Sequence, residues 1–223
     1  MDAARHDAMR QQVTEVIDPN ATEPFGVYVW ADPDPATSLA RHVERVVFDE
    51  SFGNSPEQLD IEYGKYEGSS LFVCVIDHHR RLPVGMARNI LPSAAGLKSL
   101  DDLEREWGED VDDVLARTGL HASRDLMWDC ATVATVPEYR RGATHGVISM
   151  ALYQTFATAA VRCGFPYLVA VIDVPVLRVI QWRAGRPFRS ASAQLTRRNP
   201  SPSSRRCSGR CSTGRNRCWI PPV

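Results

Sequence analysis

Apolar residues along this chain follow two rhythms, and turn residues mark where one gives way to the other. In LARHVERVVFDESF, Leu39, Val43, Val46, Val47 and Phe48 recur at three- and four-residue spacing, which predicts an amphipathic helix. Thr37 or Ser38, after the turn ADPDPATS, is placed to cap its N-terminus, and His42 reads as a boundary residue. FGVYVW (25–30) reads as a short strand, and residues 1–24 as a flexible or helical segment. SSLFVCVIDHHRRLPVGMARNILP predicts a hairpin with strands at 70–76 and 83–91 around a turn at 77–82. Asp77, His78 and His79 resemble metal ligands only superficially, because adjacent strand residues point to opposite faces; turn chemistry is expected there.

An insertion at about 92–125 follows. Its acidic stretch GLKSLDDLEREWGEDVDDVLARTGL predicts one or two surface helices with a solvated carboxylate face. LMWDCATVATV (126–136) is an apolar strand, and Val147 to Cys163 gives the longest helical pattern. PYLVAVI (166–172) has the continuous apolar run of a strand buried on both faces. Asp173 can cap a further helix that has Pro175 in its first turn and ends near Trp182. The order of elements places a βαβ unit after an antiparallel hairpin and predicts an α/β (α+β) domain.

Composition changes the picture in the tail. The chain of 223 residues has a formal net charge of −1, yet all 27 acidic residues lie before Val174, and 11 arginines lie from Val174 onward. Residues 190–223 are rich in Arg, Ser, Pro and Cys without apolar periodicity, so a disordered or out-of-frame segment is expected. An arginine-rich nucleic-acid tail, or a metal site from Cys207, Cys211 and Cys218, is the lesser reading, because the cysteines lack the paired spacing of structural zinc sites. No run of eighteen apolar residues exists, and MDAARHDAMRQQ lacks the apolar stretch of a signal peptide, so a cytoplasmic location without a membrane span is expected.

The segment VPEYRRGATHG (136–146) lies where a strand turns into the longest helix. A helix N-terminus offers unpaired N–H groups and a partial positive charge, and arginines add charge-assisted forks, so an anion cradle is the chemical reading. The bland alternative is that Gly142 and Gly146 shape a turn while Arg140 and Arg141 are solvated. Neither G-x-x-x-x-G-K-[ST] nor G-x-G-x-x-G occurs in the chain.

Val136, Pro137, Tyr139 and Arg140 match V-x-P-x-[YF]-R, and Arg141 to Gly146 follow the R/Q-x-x-G-x-G/A pattern, with Thr144 where the first glycine is usual. In this the chain resembles the GNAT acyltransferase superfamily over roughly residues 25–189. VGMARNILP, followed by a long insertion and then LMWDCATVAT, is also similar to the acyl-homoserine-lactone and N-acyl amino acid synthases. Arg88, Leu91 and Pro92 stand near an R-x-L-P strand end, and Trp128-Asp129 stands where W-E is usual. Thr132 replaces the arginine usual in that strand.

The resemblance implies a GNAT-like mixed, mostly antiparallel central sheet flanked by helices, with the C-terminal strands missing or replaced. It implies acyl transfer from acyl-CoA, or an acyl-carrier protein, to a small amine by direct attack, with no metal. Val136, Arg140, Arg141, Gly142, Ala143, Thr144, His145 and Gly146 would cradle the CoA pyrophosphate, with Asp173 assigned beside them. A backbone N–H of Thr135 or Val136 would polarise the acyl carbonyl, and Asp129 or Glu62 would take the amine proton. Gln181 stands where a tyrosine acid would be sought, and Cys130 and Cys163 read as core cysteines rather than acyl carriers. A non-catalytic acyl-CoA-binding relative or a truncated inactive copy is the alternative, nucleic-acid binding a remote one, and a homodimer is compatible with the chain.

Overall fold

The computed structural model describes residues 3–117, 123–140, 146–173 and 217–220. Helix α1 (Ala3–Val16) precedes strand β1 (Phe25–Ala31), helix α2 (Thr37–Phe52) and helix α3 (Pro56–Tyr63). A 3-10 turn (Gly64–Ser69) leads into the hairpin of β2 (Ser70–Asp77) and β3 (Leu82–Ile90). Helices α4 (Lys98–Trp107) and α5 (Val111–Arg117) form the insertion. Strand β4 (Met127–Thr135), helix α6 (Val147–Cys163) and strand β5 (Tyr167–Asp173) complete the βαβ unit. Strands β1 to β4 pair antiparallel in sequence order, and β5 lies parallel to β4. A four-residue strand from the arginine-rich tail, β6 (Arg217–Ile220), pairs antiparallel with β5.

Strands β2 and β3 sit in the middle of the sheet, and their near-continuous apolar runs are buried on both faces. On one face α1 and α2 pack through Val13, Leu39, Val43 and Val47 against Phe72, Cys74, Ile76 and Met86. Further along the same side, Leu100 and Leu103 of α4 and Val111, Val114 and Leu115 of α5 cover Ile90, Met127 and Val169. On the opposite face α6 lays Ile148 and Leu152 on Val73, Val75, Val84 and Ala87. Gly85 sets the height of that helix, because a Cβ there would stand 2.4 Å from Ile148 Cγ2.

The N-terminal segment forms a helix over Ala3–Val16, one of its two expected forms, and belongs to the core, with Val13 fully buried. One expectation is corrected. Neither Thr37 nor Ser38 caps α2: Ala36 is the N-cap, and the Asp34 carboxylate accepts its N–H at 2.8 Å. Thr37 and Ser38 instead turn their hydroxyls back onto the carbonyls of Asp34 and Pro35, each at 2.7 Å. The insertion forms two amphipathic helices, as expected, docked by their apolar faces, and several of its carboxylates make ion pairs. Asp101 accepts from the Tyr66 hydroxyl at 2.5 Å and from Lys65 at 2.6 Å, and Asp102 pairs with Lys98 at 2.6 Å.

Candidate functional site

The site begins where the sheet comes apart. Strands β4 and β5 pair at only three positions, Met127 with Tyr167, Trp128 with Leu168 and Asp129 with Val169. Beyond them Cys130 to Thr135 run on beside Ala170 to Asp173 without a ladder, so the two strands open into a wedge. A bulge at Arg88/Asn89 shifts the pairing of β3 with this part of β4. The Val136 N–H donates to the Val84 carbonyl at 3.0 Å and so points into the sheet. Alternation along the strand turns the N–H groups of Val133 and Thr135 the other way, toward the wedge. Of the two expected polarising donors, Val136 therefore spends its N–H on the β3 ladder, while that of Thr135 points to the β5 side.

At the end of β4 the chain makes a 3-10 turn (Pro137–Tyr139) and then enters α6. Tyr139 is pinned from below: its hydroxyl donates to Asp77 Oδ2 at 2.7 Å and accepts from Arg80 at 3.1 Å. Asp77 also accepts the Arg80 backbone N–H at 2.9 Å, so the hairpin turn and the motif turn brace one another. His78 is held between the Tyr28 hydroxyl at 2.9 Å and the Glu23 carbonyl at 2.8 Å. Arg140 folds back so that its Nε donates to the Thr135 carbonyl at 2.7 Å, at the mouth of the wedge. Gly146 takes a left-handed conformation (φ 75°) as N-cap of α6, and the helical ladder starts with Met150 N–H to the Gly146 carbonyl at 2.9 Å. Residues 147–149 thus present N–H groups without an in-helix acceptor, close to Thr135, whose hydroxyl lies 3.4 Å from that of Ser149. This fits a phosphate group. Arg141, Gly142, Ala143, Thr144 and His145 lie outside the described residues, as do the expected helix after β5 and Gln181; of Asp173 the structure gives only its place at the end of β5.

On the α2 side of the wedge the two expected proton acceptors sit in different surroundings. Asp129 is fully buried and accepts from Ser99 twice, at 2.5 Å from the backbone N–H and at 2.7 Å from the hydroxyl. Burial pushes its carboxyl up to about 7, against the pull of the Ser99 hydrogen bonds and the Lys98 charge. It thereby holds the first turn of α4 onto β4. Glu62, at the end of α3, keeps a third of its side chain exposed and pairs with Lys98 at 2.7 Å. Lys98 is itself buried, between Glu62 and Asp102 and 5.0 Å from the centre of the Tyr63 ring.

A second charged cluster was not legible in the sequence. Arg88 and Glu44 are both buried and form a two-pronged pair at 3.1 and 2.6 Å. Arg88 also donates to Glu67 at 2.7 Å, and Glu67 in turn pairs with Arg41, which clamps Asp32 at 2.8 Å. Thr132 donates to Glu44 at 2.8 Å, so the residue standing where an arginine is usual still joins the cluster. Burial alone would raise the Glu67 carboxyl, but the Arg88 and Arg41 charges outweigh it and hold it below the usual range. Tyr63 lies with Arg88 4.5 Å from its ring centre, which ties this cluster to Lys98. Glu44 lies 44 residues from Arg88 and 88 from Thr132, and no local spacing betrays these pairings. One signal was available: Lys98 is one of only two lysines in an arginine-rich chain.

Cys130 is buried, and burial pushes its thiol up to about 12, which suits a core residue and not a nucleophile; Cys163 is exposed at the end of α6.

A mostly antiparallel sheet that splays between two parallel strands, with a glycine-capped helix at the mouth, can be compared with solved structures. The fold is GNAT-like. FeeM, an N-acyl amino acid synthase from uncultured soil microbes, is similar at 15% identity and a TM-score of 0.53, over 72% of this chain and 77% of that one. The CoA-dependent acyl-homoserine lactone synthase BjaI, solved with SAM and isopentyl-CoA, gives 16% and 0.50 over 72% of each chain. The C-terminal condensation domain of Ebony, in complex with beta-alanyl-dopamine, gives 10% and 0.56 over 89% and 99%. No family model and no curated protein matches the sequence. Among the described residues no helix is long and apolar enough to cross a membrane.

Proposed function

We propose that this chain is an N-acyltransferase that moves an acyl group from acyl-CoA to a small primary amine by direct attack in a ternary complex. The reading rests above all on one observation: the β4–β5 ladder ends at Asp129/Val169 and leaves the Thr135 N–H facing the wedge, beside the free N–H groups of α6. The CoA pyrophosphate lies against that helix start and Arg140, which puts the thioester at Thr135. The Thr135 N–H polarises the acyl carbonyl as negative charge develops on its oxygen. The amine nitrogen attacks the carbonyl carbon, and the C–S bond breaks as the new C–N bond forms. The amine proton passes to Glu62 through water, because Asp129 is closed off by Ser99. A thiol pKa of about 8.5 lets the thiolate leave without an acid, so positioning carries much of the rate.

Calorimetry with CoA on the full chain tests the reading. Micromolar binding is expected, weakened about tenfold by Arg140→Ala combined with Arg141→Ala. An absence of CoA binding to folded protein would sink it.

A further inference from the structure

A cavity of about 250 Å³ lies between the end of α1 and the β2–β3 turn. Thr14, Ile17 and Asp18 border it from the helix end, Ala21 from the loop that follows, and His78 and Arg81 from the turn. No residue of the β4–β5 wedge lines it. Its size falls below that of drug-sized sites, roughly 300–1,000 Å³, and suits a small ligand.

Opposite charges line this cavity without meeting. Arg81 donates to the Thr14 hydroxyl at 3.3 Å and makes no ion pair among the described residues. Elsewhere in the chain exposed arginines do find carboxylates, as Arg80 finds Glu138, Arg117 finds Glu109 and Arg124 finds Asp112. Asp18 uses Oδ1 to accept the Asn20 N–H at 2.9 Å, which leaves Oδ2 over. Beside it α1 ends at Val16 with a last bond from the Ile17 N–H to the Val13 carbonyl at 3.1 Å. The carbonyls of Thr14, Glu15 and Val16 therefore lack an in-helix donor and give that end a partial negative charge. His78 is a fixed wall, its ring nitrogens engaged by the Tyr28 hydroxyl at 2.9 Å and the Glu23 carbonyl at 2.8 Å. Arg81 has a φ of 54°, a left-handed conformation that residues with a Cβ seldom adopt and glycine adopts freely. The turn nevertheless places an arginine there, with its side chain on the end of α1.

We infer that this cavity binds a small zwitterion, an amino-carboxylic acid of about the size of an α-amino acid. The ammonium donates to Asp18 Oδ2 and to the closing carbonyls of α1, and the carboxylate accepts from the remaining N–H groups of Arg81. A ligand with one of these charges alone meets its own sign at the other end: a carboxylate faces Asp18 and the helix end, an amine faces Arg81. Ile17 and Ala21 offer apolar contact to a short side chain. The inference goes beyond the acyl-CoA reading and does not depend on it. The site adjoins the motif turn all the same, because His78 follows Asp77, which holds Tyr139.

Amide NMR spectra of the full chain, titrated with L-alanine, propionate and ethylamine, test this. L-Alanine is expected to give saturable shifts at Thr14, Ala21 and His78 with a Kd of roughly 1–10 mM, as suits charge-assisted contacts open to solvent. Propionate and ethylamine should each bind about tenfold more weakly or not at all. Arg81→Gly fits the left-handed turn, and Asp18→Asn still accepts the Asn20 N–H, so both variants should keep the wild-type fold, which their spectra verify. Each should weaken L-alanine binding about tenfold. An absence of saturable shifts with L-alanine would overturn the inference and leave Arg81 and Asp18 as solvated surface charges. Either one-charge probe binding as tightly as L-alanine would overturn it too, as would full affinity in either folded variant. CoA enters none of these titrations, so their outcome is separate from that of the acyl-CoA reading.

Discussion

Asp129 gives both of its carboxylate oxygens to a single residue, Ser99, at 2.5 and 2.7 Å. A carboxylate tied to a helix start in this way is an anchor: it fastens the insertion to the strand that borders the wedge. Ser99→Ala should cost about 1 kcal/mol in chemical denaturation, and Asp129→Ala about 1–3 kcal/mol more, because the Ser99 N–H is then left buried without an acceptor. The pH dependence has a definite sign. The folded carboxyl, at about 7, lies above its ordinary value near 4, so the folded state holds the proton over that window. Its contribution to stability is present below about pH 4 and fades as pH rises toward 7, at up to about 1.4 kcal/mol per unit. Denaturation curves from pH 4 to 8 should therefore be flatter for Asp129→Asn than for the wild type; parallel curves would refute this.

Arg88 and Glu44 are buried together, and removing Arg88 leaves the Glu44 carboxylate buried with the Thr132 hydroxyl alone among its described side-chain donors. Arg88→Met should destabilise the fold by about 3–5 kcal/mol, and Glu44→Gln by less, since an amide still accepts from the guanidinium. Arg88→Lys should behave more like the loss than like the wild type, because one ammonium cannot serve both Glu44 and Glu67 in the same fork. Urea titration of the three variants gives the ranking.

Gly85 leaves room for a methyl group of Ile148 and for nothing else. Gly85→Ala should destabilise by about 1–3 kcal/mol through overpacking, and Ile148→Ala in that background should recover part of the loss. Additive effects in this double-mutant cycle would contradict the contact.

Tyr139 holds the motif turn to the hairpin through Asp77. Tyr139→Phe removes that hydrogen bond at a cost of about 1 kcal/mol and should weaken CoA binding a few-fold, although the hydroxyl is aimed at Asp77 and not at the cradle. Calorimetry with CoA reads the second effect, and unchanged affinity would limit Tyr139 to a purely structural role.

Much of this was legible in the sequence because the signals were local. The helix at 147–163 and the hairpin strands followed from apolar spacing, and the βαβ unit from the order of elements. The long-range chemistry was hidden. Nothing near Asp129 announces Ser99, thirty residues earlier, and nothing near Thr132 announces Glu44. Val136 shows the limit from another side. The motif pointed to two adjacent N–H groups, and only the ladder bond to Val84 tells which of them faces outward. The insertion was legible too, since its leucines lie against the sheet while Glu104, Asp110, Asp112 and Asp113 stay exposed.

Gly85 has a further consequence. It stands opposite Thr135 in the β3–β4 register and touches Ile148, two residues into α6 beyond Gly146. On the acyl-CoA reading proposed above, the reacting end and the phosphate end of the site are both referred to this one backbone position, through a single side chain of α6. The protein holds a caliper of fixed opening. On that reading a donor is measured by whether the span between its pyrophosphate and its thioester matches that gap, before any contact with its acyl group is made.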